Sequence, residues 1–202
     1  FMGKDNKEFE EIAQGEELKI IHQMIEKTKS DTAESGTELI MWGWLALAAC
    51  VCLYALVFLG LPHLAWLPWA VLMPIGAIVQ IVKEIKQRKR TRISTYTDHA
   101  ISSLWLACGM SIFMVAFLAV PLGAVSYKFL TPAISIIIGI AMFTSGQIVE
   151  WKLMKICGLV WWLSAVIMML IHSHLHTGVF AISIILGYLV PGYILRRNYL
   201  RK

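Results

Sequence analysis

The sequence predicts an all-α integral membrane protein: a bundle of six transmembrane helices preceded by a cytoplasmic amphipathic helix. Three observations predict it: the shortage of charge, its segregation along the chain, and its asymmetry between the loops. Of the 202 residues, 58% are hydrophobic and 15% charged, with a mean hydropathy of +0.68. A soluble domain keeps its surface wet with about a quarter charged residues, so this chain has too few polar groups to cover a soluble globule. No Asp, Glu, Lys or Arg lies between Leu39 and Val82 or between His99 and Tyr127. A bilayer core needs roughly 20 apolar helical residues to span it, and the first of these stretches is long enough to cross twice.

The first 38 residues carry ten acidic and five basic side chains. They do not read as a secretory signal, which needs a basic start and a short apolar core. Within them Leu18, Ile21, Ile25 and Thr28 recur at helical spacing, a stripe that would lie against the membrane or the inner face of the bundle. Ser35 and Glu38 have the spacing of a capping box at the start of the first span. The spans are expected over about residues 39–59, 64–82, 100–120, 129–149, 153–171 and 178–195. Gly60-Leu61-Pro62-His63 turns the chain after the first span and Pro121-Leu122-Gly123 after the third. The second is expected to continue as helix through Lys83–Arg90, the fifth to snorkel Lys155 to the headgroups, and a basic tail, 196–202, follows the sixth.

Loop charge sets the orientation. With six spans, every basic residue of the 18 except Lys128, and all 13 acidic residues, fall on one face. The positive-inside rule places that face, and both termini, in the cytoplasm of a multi-pass membrane protein. Trp42, Trp44 and Trp151 would sit near the inner interface, and Trp66, Trp69 and Tyr127 near the outer. Ala133-Ile134-Ser135-Ile136-Ile137-Ile138-Gly139 of the fourth span echoes Ala181-Ile182-Ser183-Ile184-Ile185-Leu186-Gly187 of the sixth. Trp44-Leu45-Ala46, Trp105-Leu106-Ala107 and Trp162-Leu163-Ser164 echo one another in the odd spans. Together they suggest one helical hairpin used three times, an arrangement found in several transporter folds.

Trp42-Gly43-Trp44 and the closing Gly187-Tyr188-Leu189-Val190-Pro191-Gly192-Tyr193-Ile194-Leu195 resemble the pattern of a family of uncharacterised six-span integral membrane proteins of Bacteroides-type bacteria, similar over most of the chain. The resemblance implies a short helix like Leu18–Lys29 before the first span and supplies no activity. Such proteins are often encoded near small winged-helix regulators, which implies a cytoplasmic regulatory protein as partner.

The most distinctive polar feature is His172-Ser173-His174-Leu175-His176 in an outward loop. If extended, it would point alternate side chains the same way, and His172, His174 and His176 would make a candidate site for zinc, copper or nickel. Lys83, Lys86, Arg88, Lys89, Arg90 and Arg92, just inside the second span, are candidate contacts for anionic lipid headgroups. The acidic N-terminal segment is expected to dock on them. Nucleic acid is not an expected partner, because the membrane topology already accounts for the charge.

No ionisable residue falls in the middle of a span; Asp98, Glu150 and Lys155 lie at the inner boundary, which argues against a proton- or sodium-driven pump. Pro74 with Gly76, and Pro191-Gly192, would kink or break their helices beside neighbours or a cavity. Gln80, Thr144, Ser145 and Gln147 would line a pocket open to the cytoplasm or bond across helices. Ser103, Ala107 and Ser111 form a small-residue stripe suited to close helix approach, within the bundle or in a homo-oligomer. The four cysteines lie in apolar spans with no histidine at their depth to activate them, and no hydrolase, phosphate-loop or metalloprotease motif occurs. No cofactor and no enzymatic activity are therefore expected. Two functions fit: a binder or facilitator for a small neutral solute or a lipid, or a membrane-embedded sensor or scaffold that presents its cytoplasmic helix and basic loop to a soluble regulator.

Overall fold

A computed structural model describes residues 36–90 and 96–200. The amphipathic helix expected over Leu18–Lys29, the capping residue Ser35 and Arg92 of the basic cluster lie outside the described residues. The rest is helical, with no strand among the described residues, and six helices are long and apolar enough to cross a membrane. They are α1 (Gly36–Phe58), α2 (Leu67–Arg90), α3 (Tyr96–Met114, continued by a π-turn at Val115–Ala119), α4 (Leu130–Ile148), α5 (Lys152–Leu170), and a sixth span in three pieces. That span is α6 (His176–Ile184), a π-turn (Ile185–Leu189) and α7 (Val190–Leu200). As expected, α2 runs on through Lys83 to Arg90. The membrane-crossing stretches begin at most three residues from the positions read in the sequence and end within four.

Three spans end in the same way. At the end of α1, Leu61 N–H bonds to Leu56 O and Gly60 N–H to Val57 O, a Schellman cap with Gly60 left-handed at φ 76°. Ala124 N–H to Ala119 O and Gly123 N–H to Val120 O repeat the cap after α3, with Gly123 at φ 73°. Trp151 N–H to Gly146 O and Glu150 N–H to Gln147 O repeat it after α4, but there the left-handed position, φ 56°, is filled by Glu150. Glycine costs nothing in that conformation, whereas a side chain meets the following carbonyl.

The core lies among α4, α5 and the sixth span, where Met142, Trp161, Met168 and Ile184 are fully buried. Glycines set how closely α4 and α5 approach. A Cβ on Gly158 would lie 2.9 Å from the Phe143 Cα, and one on Gly146 2.7 Å from the Lys155 amide nitrogen. Helix α1 lays a stripe of Gly36, Leu39, Gly43, Ala46 and Cys50, all buried, along the sixth span, where Gly36 meets Leu195, Gly43 meets Leu189, and Gly192 meets Ile40. The alternating three- and four-residue steps of that stripe keep one face on its neighbour. Small residues at such crossings let backbones approach closely, which is how helices associate where lipid removes the hydrophobic incentive. Helices α2 and α3 are peripheral: only 6% of each apolar stretch is buried, against 44% in α4 and 50% in the sixth span. Trp69 and Met73 from α2, and Trp105 and Ile112 from α3, pack on the core, and Gly76 of α2 lies against Trp42 and Leu45 of α1.

Candidate functional site

Trp161, at mid-length of α5 and 0% exposed, is the centre of the bundle. Its ring meets Phe180 edge-on at 5.4 Å and Tyr188 at 5.3 Å, while Phe180 in turn meets Trp69 of α2 at 5.9 Å. Four aromatic rings therefore run in series from α2 through α6 and α5 to the π-turn. The indole packs on Gly187 with Nε1 nearest, and an added Cβ there would collide with that atom. Nε1 has no hydrogen-bond partner. A buried donor without an acceptor costs about 1–3 kcal/mol in a protein interior, so such a group calls for a physical reason.

The neighbouring tryptophan supplies the contrast. Trp162 packs on Gly139 of α4 and donates from Nε1 to Ile136 O at 3.2 Å. Gly139 and Gly187 close the two copies of the Ala-Ile-Ser-Ile-Ile motif, so adjacent α5 tryptophans occupy equivalent glycine notches. The carbonyl equivalent to Ile136 O is that of Ile184, yet Trp161 does not reach it. In α4 the motif is α-helical throughout; in the sixth span its last three residues belong to the π-turn. The wider turn carries Gly187 out of register with Ile184, and the docked indole goes with it.

Pro191 accounts for the π-turn. A proline has no N–H, and its ring collides with the carbonyl four residues back, here Gly187. Widening the preceding turn relieves the collision. The other π-turn also ends two residues before a proline, Pro121. In the sixth span Val190 N–H bonds to Ile185 O, and the next donor in that register would be residue 191. Leu186 O is thus deprived of its backbone partner. The Cys157 thiol, one turn below Trp161 on the same face of α5, points at this carbonyl from 3.9 Å, a weak substitute. The middle of the bundle therefore holds an unpaired donor packed on Gly187 and an under-paired acceptor on the residue before it.

Other buried hydroxyls nearby are self-satisfied or orphaned. Ser164 donates to Trp161 O at 2.8 Å and Ser183 to Val179 O at 2.9 Å, whereas Ser135 and Ser145 of α4 have no partner.

The residues singled out in the sequence are mostly not brought together. His172–His176 is not extended: Ser173–Leu175 form a 3-10 turn and His176 opens α6. The alternation that would have aligned three imidazoles is therefore lost. His172 is exposed, and His176 is 3% exposed with Nε2 3.4 Å from Ile171 O; the side chain of His174 lies outside the described ones. Among the described residues no group of three metal-binding side chains forms. Gln80 Nε2 donates to Glu84 on its own helix at 3.4 Å while its Oε1 is buried without a partner; Gln147 is exposed, Thr144 half-buried and Ser145 buried. Ser103, Ala107 and Ser111 face outward, exposed. Pro74 does not interrupt α2. Trp69, expected at the outer interface, turns inward to Phe180. Lys83 is half-buried and Lys86 exposed on the extension of α2.

Sequence reasoning missed Trp161, Cys157 and Tyr188. The signal that would have found them was the echo between spans four and six, read together with the adjacent tryptophans and the proline that only one copy carries. Compared with known proteins, the chain matches no family model, no curated protein and no solved structure.

Proposed function

We propose that this protein is a non-catalytic, membrane-embedded binder or facilitator for a small neutral solute or a lipid. One observation carries the reading: the fully buried indole N–H of Trp161, unpaired at mid-length of α5 beside an under-paired backbone carbonyl. Uncompensated polar groups at membrane depth are expensive and are kept where protein buries them or where they line a cavity. The spans lack mid-bilayer charge, which favours a neutral ligand over an ion. The polar face carrying all but one of the basic residues supports an inner-membrane orientation with both termini cytoplasmic. There the cluster at Lys83–Arg92 would meet anionic headgroups.

The test is reconstitution of the full chain into liposomes. Stopped-flow light scattering under glycerol and urea gradients should report flux above that of empty vesicles, or mass spectrometry of the protein purified in native lipid should find a stoichiometric neutral lipid. If neither is seen, the reading fails, and pull-down of a soluble regulator through Leu18–Lys29 would favour the sensor or scaffold instead.

A further inference from the structure

We propose that Trp161 Nε1 and Leu186 O together hold one neutral hydroxyl group, water's or a small alcohol's. The indole N–H is a donor with no acceptor, and Trp161 is 0% exposed. Leu186 O is an acceptor whose register partner is Pro191, which has no N–H, while the N–H of Val190 is committed to Ile185 O. The indole is packed on Gly187, and Leu186 is the residue before it. A hydroxyl accepts one hydrogen bond and donates another, so it completes both groups at once. A carbonyl or ether ligand would satisfy Trp161 alone, and an ion would meet no countercharge. Prolines in membrane helices are tolerated when a neighbouring group or an ordered water re-satisfies the freed carbonyl. The Cys157 thiol, at 3.9 Å, does so only weakly.

The repeated motif supports the same assignment. Where α4 keeps its α-register, Trp162 closes its own N–H on Ile136 O and leaves nothing for a ligand. The sixth span differs by a π-turn, and π-turns within helices are frequent at functional sites. The assignment of a solute's hydroxyl rests on the neutral-ligand reading above; the hydroxyl site itself does not.

The experiment uses the full chain, labelled with 15N-tryptophan, in phospholipid nanodiscs. Nuclear Overhauser transfer is read from the indole protons to water and to added 1-butanol, with 1-chlorobutane as the matched probe lacking a hydroxyl, and Trp161→Phe assigns the resonance. A cross-peak to a hydroxyl is expected at Trp161 and not at Trp162. If butanol, but not chlorobutane, displaces the water signal and shifts the Trp161 indole, the hydroxyl is a solute's; a water signal that butanol leaves unchanged makes it water's, and either outcome supports the site. A Trp161 indole with no transfer from either hydroxyl overturns it. Should Trp161→Phe fail to fold, Pro191→Ala gives residue 191 an N–H for the helix, and the Trp161 cross-peak is expected to disappear while the Trp162 resonance stays in place. Persistence of that cross-peak also overturns the site. A hydroxyl cross-peak with no solute flux and no bound lipid keeps the site and removes the proposed function; flux without a cross-peak does the reverse.

Discussion

Trp161 and Trp162 are neighbours in sequence with the same ring and the same kind of glycine notch, and they differ in whether the indole N–H is paired. Their substitutions should therefore separate. Trp162→Phe removes the bond to Ile136 O and is expected to cost about 1 kcal/mol from that bond alone, read as a lower midpoint of thermal unfolding in detergent. Trp161→Phe deletes a donor with no protein acceptor but also empties part of a fully buried site, so its cost is expected to come from the cavity rather than from a lost protein hydrogen bond. The glycines give a second contrast. Gly158→Ala places a Cβ 2.9 Å from the Phe143 backbone, which cannot move aside, so a loss of about 1–3 kcal/mol is expected from overpacking. Gly109→Ala meets open space and should be neutral or mildly stabilising. At Glu150 the sign reverses. A side chain in the left-handed region costs roughly 1–2 kcal/mol, so Glu150→Gly should raise the unfolding midpoint, and no rise would indicate that the carboxylate holds the turn in another way.

At the scale of elements, the helices were legible because each signal that defines them is local. Long charge-free runs mark the spans, and Gly60 and Gly123 mark the turns that end them. The interior of the bundle was not legible in the same way. The Ser103–Ala107–Ser111 stripe has the spacing of a packed helix face, yet α3 turns it outward, since a small-residue stripe records that a close approach is permitted without choosing the partner. Trp69 has the composition of an interface anchor but packs on Phe180, because a ring near the end of a span can reach either headgroups or core. The His172–His176 tract shows how a pattern argument depends on backbone state: a strand alternates its side chains, and the turn leading into α6 removes that alternation. The site at Trp161 depends on register, and register was set by Pro191, thirty positions further along the chain. Cysteine accessibility tests this arrangement of faces. Cys52 is exposed on α1, while Cys50 and Cys157 are each 2% exposed. A thiol-reactive coumarin maleimide should label Cys52 in the folded, detergent-solubilised protein and reach Cys50 and Cys157 only as it unfolds; native labelling of Cys157 would show that the α5 face is open.

For the whole molecule, the distribution of burial divides the bundle into a core of α4, α5 and the sixth span, and a periphery of α2 and α3. Reporter fusions at the two ends test the orientation drawn from charge: both should report the cytoplasm, and opposite sides would require an odd number of crossings. The stripe on α1 has a further consequence for how the protein is made. Gly36, Gly43 and their neighbours dock on Leu189, Gly192 and Leu195, which belong to the sixth span and are made after the other five. Helix α1 therefore has no seat until the sixth span has been made. It must remain in lipid, or be held by the insertion machinery, while α4 and α5 close on each other through their three-residue connection. A product truncated before the sixth span would leave α1 without its partner surface, with its glycine face exposed.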